Sequence, residues 1–197
     1  MNASAIEQLD PSQRSLNWLT DLFRTTFCGI QMAQRWVDLV LFEKLMDEVF
    51  PELVVEIGTW EGGLSLYLRM LTLQRKSPFH TFDILPPRRE GNPLWKVLRM
   101  EECFTQEDVF GSGSVLRKLL ASDRPAVLLL CDGGNKAREV REFALLLRPG
   151  EVIGAHDWGN EIGAADVRPL VEAEQLIPFW LPQCEAINSL WRFWVRG

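Results

Sequence analysis

An acid, a set of glycines and a second acid follow one another in this chain: Glu56, then Gly58, Gly62 and Gly63, then Asp83. Glycine lets a backbone approach a ligand closely. An acid about twenty residues beyond such a turn is suited to hold a ribose hydroxyl pair. The order suits a nucleoside cofactor. Glu56 stands directly before the glycines, where it would sit badly beside a pyrophosphate and favours a cofactor with a positively charged amino-acid tail. The same residues also permit a plainer reading, in which the glycines serve only a tight turn and Asp83 is a cap or loop acid.

The elements around these residues alternate. Residues 53–57 read as a strand and 64–74 as a helix, then 79–83 as a strand, and Pro86, Pro87 and Pro93 mark a loop. Residues 94–100 predict a short helix, 103–105 a weak strand, and 115–121 a helix that Ser114 is placed to cap. Residues 126–131 form a continuous apolar run of the kind buried on both faces of a parallel sheet. A helix over 137–147, a strand over 152–155 and a helix over 166–174 follow. Two strand-like segments, 177–181 and 190–195, close the chain and predict an antiparallel pair at one edge. This alternation specifies an α/β doubly wound sheet, and each acid of interest sits just after a strand, where such folds bind ligands. Residues 1–50 read as helical with a break at Gly29. They would form an N-terminal cap on a Rossmann-like core over 51–197, all within a single domain.

Composition narrows the classes. The 197 residues suffice for one domain, and 47% hydrophobic with 24% charged residues is ordinary for a globular protein. A formal net charge of −6, with no basic run longer than a pair such as Arg88-Arg89, disfavours a nucleic-acid partner. Cys28, Cys103, Cys131 and Cys184 form no Cys-x-x-Cys pair, so no zinc site is expected and a reducing cytoplasm fits. The first residues lack the pattern of a secretory signal, and no apolar run is long enough to span a membrane. Trp18, Leu22, Phe23 and Phe27 would cover a site or make a homo-oligomer surface.

At this point the sequence resembles the class I S-adenosylmethionine-dependent methyltransferases, over residues 53–160. Glu56-Ile-Gly-Thr-Trp-Glu-Gly62 looks like their first motif, Asp83 like the acid ending their second strand, and Gln106-Glu-Asp108 like the loop after their third. Within that superfamily it is most similar to the cephalosporin hydroxylase and rhamnosyl or macrocin O-methyltransferase group. Gly29-Ile-Gln-Met32, Cys131-Asp-Gly-Gly-Asn-Lys136 and Pro149-Gly-Glu-Val-Ile-Gly-Ala-His-Asp-Trp158 carry this second resemblance.

The resemblance implies a seven-stranded, mostly parallel sheet whose final strand is antiparallel. It implies a cofactor, S-adenosylmethionine, held by Glu56, Gly58, Thr59 and Gly62 at the methionine portion and by Asp83 at the ribose. Glu107 or Asp108 would lie near the adenine, with Asp132 at the border of the site. It implies magnesium on Asp132 and Asp157, with His156 beside them. His156 departs from the usual carboxylate, and magnesium prefers oxygen. Asn135 stands where relatives often hold a base, and Lys136 follows it.

Methyl transfer is an in-line displacement that depends on proximity. A hydroxyl acceptor must also lose its proton to a base or to a metal-assisted route. His156 and Lys136 are the catalytic candidates, although His156 reads equally as a structural histidine and Lys136 as a solvated lysine at a helix start. Trp60 and Trp158 are placed to stack on a ligand or to pack, and Gln31 to border the cofactor or to face solvent. The expected function is O-methylation of a small-molecule hydroxyl. The alternatives are a nicotinamide-dependent oxidoreductase, which Gly58-x-x-x-Gly62-Gly63 fits poorly, and an inactive cofactor-binding or interaction protein on the same fold.

Overall fold

A computed structural model describes residues 25–87 and 92–197. Trp18, Leu22, Phe23 and the Arg88-Arg89 pair lie outside the described residues.

In chain order the elements are β1 (Thr26–Phe27), β2 (Ile30–Gln31), α1 (Trp36–Val49), β3 (Leu53–Ile57), α2 (Gly63–Arg75), β4 (Phe79–Asp83), α3 (Pro93–Val97) and β5 (Phe104–Gln106). Then come α4 (Val115–Ala121), β6 (Val127–Cys131), α5 (Lys136–Phe143), β7 (Val152–Ala155), α6 (Ala164–Glu172), β8 (Leu176–Phe179), α7 (Leu181–Ala186) and β9 (Arg192–Arg196).

Seven strands form one sheet in the order β5-β4-β3-β6-β7-β9-β8. The first five are mutually parallel, and β9 runs antiparallel to both β7 and β8. The expected doubly wound sheet with an antiparallel final strand is therefore present. The last strand is not the edge, however: β9 inserts between β7 and β8, and α7 joins the pair.

Both faces of the sheet are covered, which is why β3 and β6 are buried at every position. Strand alternation sends Val54, Leu128, Leu130 and Phe193 to one face, under α1 and α2. Val55, Leu129, Cys131 and Trp194 face the other way, under α4, α5 and α6. Leu39, Phe42, Leu45 and Met46 form the buried stripe of α1. That helix ends at Phe50, in a left-handed conformation directly before Pro51.

One expectation fails at the N-terminal side. Residues 26–31 form a two-stranded hairpin, with Thr26 opposite Gln31, rather than a broken helix. Its two turn residues, Cys28 and Gly29, both have positive φ (50° and 82°), as a two-residue hairpin turn requires. The hairpin lies on the start of α2, where a side chain at Gly63 would strike the Ile30 and Gln31 carbonyls.

Candidate functional site

Strand order reverses between β3 and β6, since β3 leads outward to β4 and β6 leads the other way to β7. At the carboxyl ends of those strands lies a cleft of about 910 Å³, the size of an ordinary ligand pocket and at the location open α/β sheets use.

The β3–α2 turn forms one wall. Gly58 has φ 95°, and a Cβ there would overlap the Asp132 carbonyl of the neighbouring strand end. The glycine is thus required twice, for its backbone conformation and for close packing. Asp83 closes the wall: its Oδ2 accepts the Trp60 N–H at 2.8 Å and its Oδ1 the Leu85 N–H at 3.0 Å. The carboxylate is fixed in orientation and still lines the cleft. Trp60, 48% exposed, projects beside it.

Two residues of the glycine motif lie elsewhere. Glu56 is fully buried, beneath the turn instead of in the cleft lining. Its Oε2 accepts from the Thr81 hydroxyl at 2.6 Å and from the Ser65 hydroxyl, while Oε1 has no protein partner. Burial pushes its pKa up to about 8, against those two hydrogen bonds and with small contributions from Asp132 and Asp83. Alternation explains the placement: Glu56 shares the face of Val54, toward α2. Gly62, also expected at the ligand, instead makes room for the Trp95 ring. Thr59 is buried and bonded to Thr81 at 2.6 Å, although it also lines the cleft.

Glu107 and Asp108 both reach the cleft at the far side of Asp83. Glu107 is nevertheless engaged: it accepts from the Ser114 hydroxyl and from the Val115 and Leu116 N–H groups, anchoring the start of α4. Ser114 caps that helix as expected. Asp108 is the more exposed of the two. Ile84 and Leu85, both largely exposed, give this end an apolar rim that the sequence reading did not single out.

The other end of the cleft holds Asp132, His156, Asp157 and Lys136. His156 Nδ1 lies 3.0 Å from Asp132 Oδ1 and 3.4 Å from Asp157 Oδ2. Burial favours the neutral ring, but the Asp132 and Asp157 carboxylates outweigh it and push the pKa up to about 9. Burial likewise opposes Asp157, whose carboxyl His156 and Lys136 hold well below the usual carboxylate range.

Lys136 is not the solvated lysine of the sequence reading. It is buried, with Nζ 2.8 Å from Asp157, 2.9 Å from Glu161 and 3.7 Å from Asp132, and it donates to the Gly133 carbonyl at 2.9 Å. Burial would lower its pKa, but the three carboxylates raise it above the ordinary lysine value. This environment favours the ammonium form of Lys136. Asn135 caps α5, its side chain accepting from the Arg138 N–H.

Further residues at this end escaped the sequence reading. Gln34 donates to Asp132 Oδ2 at 2.6 Å and accepts from the Trp191 indole at 2.7 Å. Because an indole N–H only donates, it fixes the Gln34 amide with its nitrogen toward Asp132. The Trp191 ring also lies 5.1 Å from the His156 ring. Ser189 and Asp38 tie the segment before β9 to α1, which holds Trp191 and Gln34 in register. Glu139 accepts the Gly133 and Asn135 N–H groups, and burial pushes its pKa up to about 7. Glu161 completes the Lys136 cage. Gln31, by contrast, is a hairpin residue, and Trp158 packs on Trp194 at 5.7 Å outside this cleft.

Asp132, His156 and Asp157 offer ligand atoms within 4.8 Å of one another. Two carboxylates and an imidazole are a donor set that a divalent ion accepts, although magnesium favours oxygen alone.

Residues 21–103 match the model of the Rhamnosyl O-methyltransferase/CmcI family. The chain is similar to that family. The rhamnosyl O-methyltransferases of Mycobacterium bovis and Mycobacterium tuberculosis are 25% identical over 141 residues, 68% of this chain and 55% of theirs. The chain thus spans little more than half the length of these curated relatives. Among solved structures, the CmcI-N160 apo-structure aligns with a TM-score of 0.65 at 16% identity, covering 96% of this chain and 86% of that one. The apo structure of CalS11, a TDP-rhamnose 3'-O-methyltransferase, aligns at 0.56 and 18% identity with both chains fully covered. These likenesses match the fold and the resemblance read from the sequence. Among the described residues, no helix is long and apolar enough to cross a membrane.

Proposed function

We propose that the chain binds S-adenosylmethionine in this cleft and transfers its methyl group to a hydroxyl of a small molecule, with a sugar as the favoured acceptor class. The observation that carries the reading is Asp83, held by two backbone N–H groups at the cleft wall beside the Gly58 turn. A carboxylate so fixed has lone pairs left for two adjacent hydroxyls, as a ribose presents them. Ile84 and Leu85 then offer an apolar rest for the base. The sugar acceptor is supported by the rhamnosyl O-methyltransferase relatives and by CalS11.

In the transfer the acceptor oxygen bonds the methyl carbon as the carbon–sulfur bond breaks, and the sulfonium becomes a thioether. The acceptor oxygen becomes strongly acidic as this bond forms, so a carboxylate suffices to take its proton late. Asp132 is the group assigned to this, because the His156 ring is engaged at Nδ1 between Asp132 and Asp157. Gln34 and His156 orient Asp132 by holding one oxygen each. A divalent ion on Asp132, Asp157 and His156 would acidify a bound hydroxyl. Glu56 acts from beneath the turn as a positioning residue.

Calorimetry with S-adenosylmethionine and S-adenosylhomocysteine tests the cofactor. Release of S-adenosylhomocysteine with rhamnose-bearing and aromatic hydroxyl acceptors tests the reaction. Failure of both nucleosides to bind at millimolar concentration sinks the reading. Binding without turnover on any acceptor would favour the inactive alternative.

A further inference from the structure

Lys136 contacts the two carboxylates that a bound cation would use. Its ammonium contacts Asp157 Oδ2 at 2.8 Å and faces Asp132 Oδ1 at 3.7 Å, and these two carboxylates are the oxygen donors of the candidate metal group. A divalent ion would need the same carboxylates. An ammonium and a metal ion compete for them, because two like charges this close in a partly buried site repel. The lysine is also not idle there: it is buried and holds Glu161 and the Gly133 carbonyl as well.

We propose that Lys136 is a tethered cation that competes with a divalent metal for Asp132 and Asp157, so that metal enters this centre only when the lysine side chain swings away. Glu161 supplies the alternative resting place. Its side chain is 54% exposed, on the outer side of the cluster, so Lys136 can retain that one ion pair while releasing the two inner carboxylates. The consequence is a centre whose inner carboxylates are compensated without metal and whose divalent affinity is weak. The functional importance of this rests on the methyl-transfer reading, but the competition itself does not require a cofactor.

Mn²⁺ is the suitable probe, since it tolerates an imidazole better than magnesium does. Free Mn²⁺ would be followed by electron paramagnetic resonance in titrations of the full chain, as wild type, Lys136→Met and Lys136→Gln, with S-adenosylhomocysteine binding measured on each. Wild type is expected to bind only in the millimolar range. Each folded variant is expected to gain one site tighter on the order of tenfold or more, and adding Asp157→Asn to Lys136→Met should remove that gain. A wild type that binds one Mn²⁺ at micromolar concentration overturns the proposal without reference to any variant. So do folded variants that bind no tighter than wild type. Absent nucleoside binding alongside the Mn²⁺ gain would instead sink the methyltransferase reading alone.

Discussion

The two ends of the cleft are built by different means. At the Gly58–Asp83 end the working parts are backbone: a glycine turn and two N–H groups that lock one carboxylate. At the Asp132–His156 end they are side chains from distant segments, neutralising one another in a buried cluster. Gln34, Asp132, Lys136, His156, Asp157, Glu161 and Trp191 all take part. A backbone-built site tolerates little change but binds in one way. A cluster of mutually compensating charges can be retuned, because losing one member alters what the others do.

If the first end is a rigid backbone device, Gly58→Ala should do the most damage. The new Cβ would overlap the Asp132 carbonyl at a positive φ, costing roughly 3 kcal/mol or more. Thermal melts would read the loss, and an unchanged melting temperature would remove the argument from close packing. Glu56→Gln probes the support beneath that turn. A carboxyl whose pKa rises from 4.5 to about 8 on folding gives stability that is complete below pH 4.5 and lost as pH rises through about 8. Wild type should therefore weaken by about 2–4 kcal/mol across that window, and the variant should flatten the slope. Urea unfolding at a series of pH values checks it, and identical slopes would refute it.

Asp83→Ala should weaken S-adenosylhomocysteine binding by about 2–3 kcal/mol with little change in fold, seen by calorimetry. The smallest effect belongs to the other end. Trp191→Phe keeps the ring against His156 but releases the Gln34 amide, at about 1 kcal/mol. It should lower the turnover rate while leaving nucleoside affinity alone. A change in nucleoside affinity would mean that the two ends are less separate than their construction implies.

Much of this protein is legible in its sequence. The alternating apolar runs, the glycines at 58, 62 and 63 and the acid at 83 lie within one strand–helix–strand unit. They lie close along the chain and close in space, so the doubly wound sheet and the Gly58–Asp83 end of the cleft could be read from local pattern. Tertiary structure decided what local pattern cannot carry. The Gln34–Trp191 contact joins residues far apart in sequence and exists only because β9 inserts beside β7. The face of the sheet that Glu56 occupies turned an expected ligand contact into a buried support. Three carboxylates converging on one lysine turned a residue that reads as a solvated helix-start lysine into a buried, ion-paired one. A sequence fixes which groups a chain owns, but the charge state and task of a buried group depend on which neighbours long-range packing brings within a few ångströms.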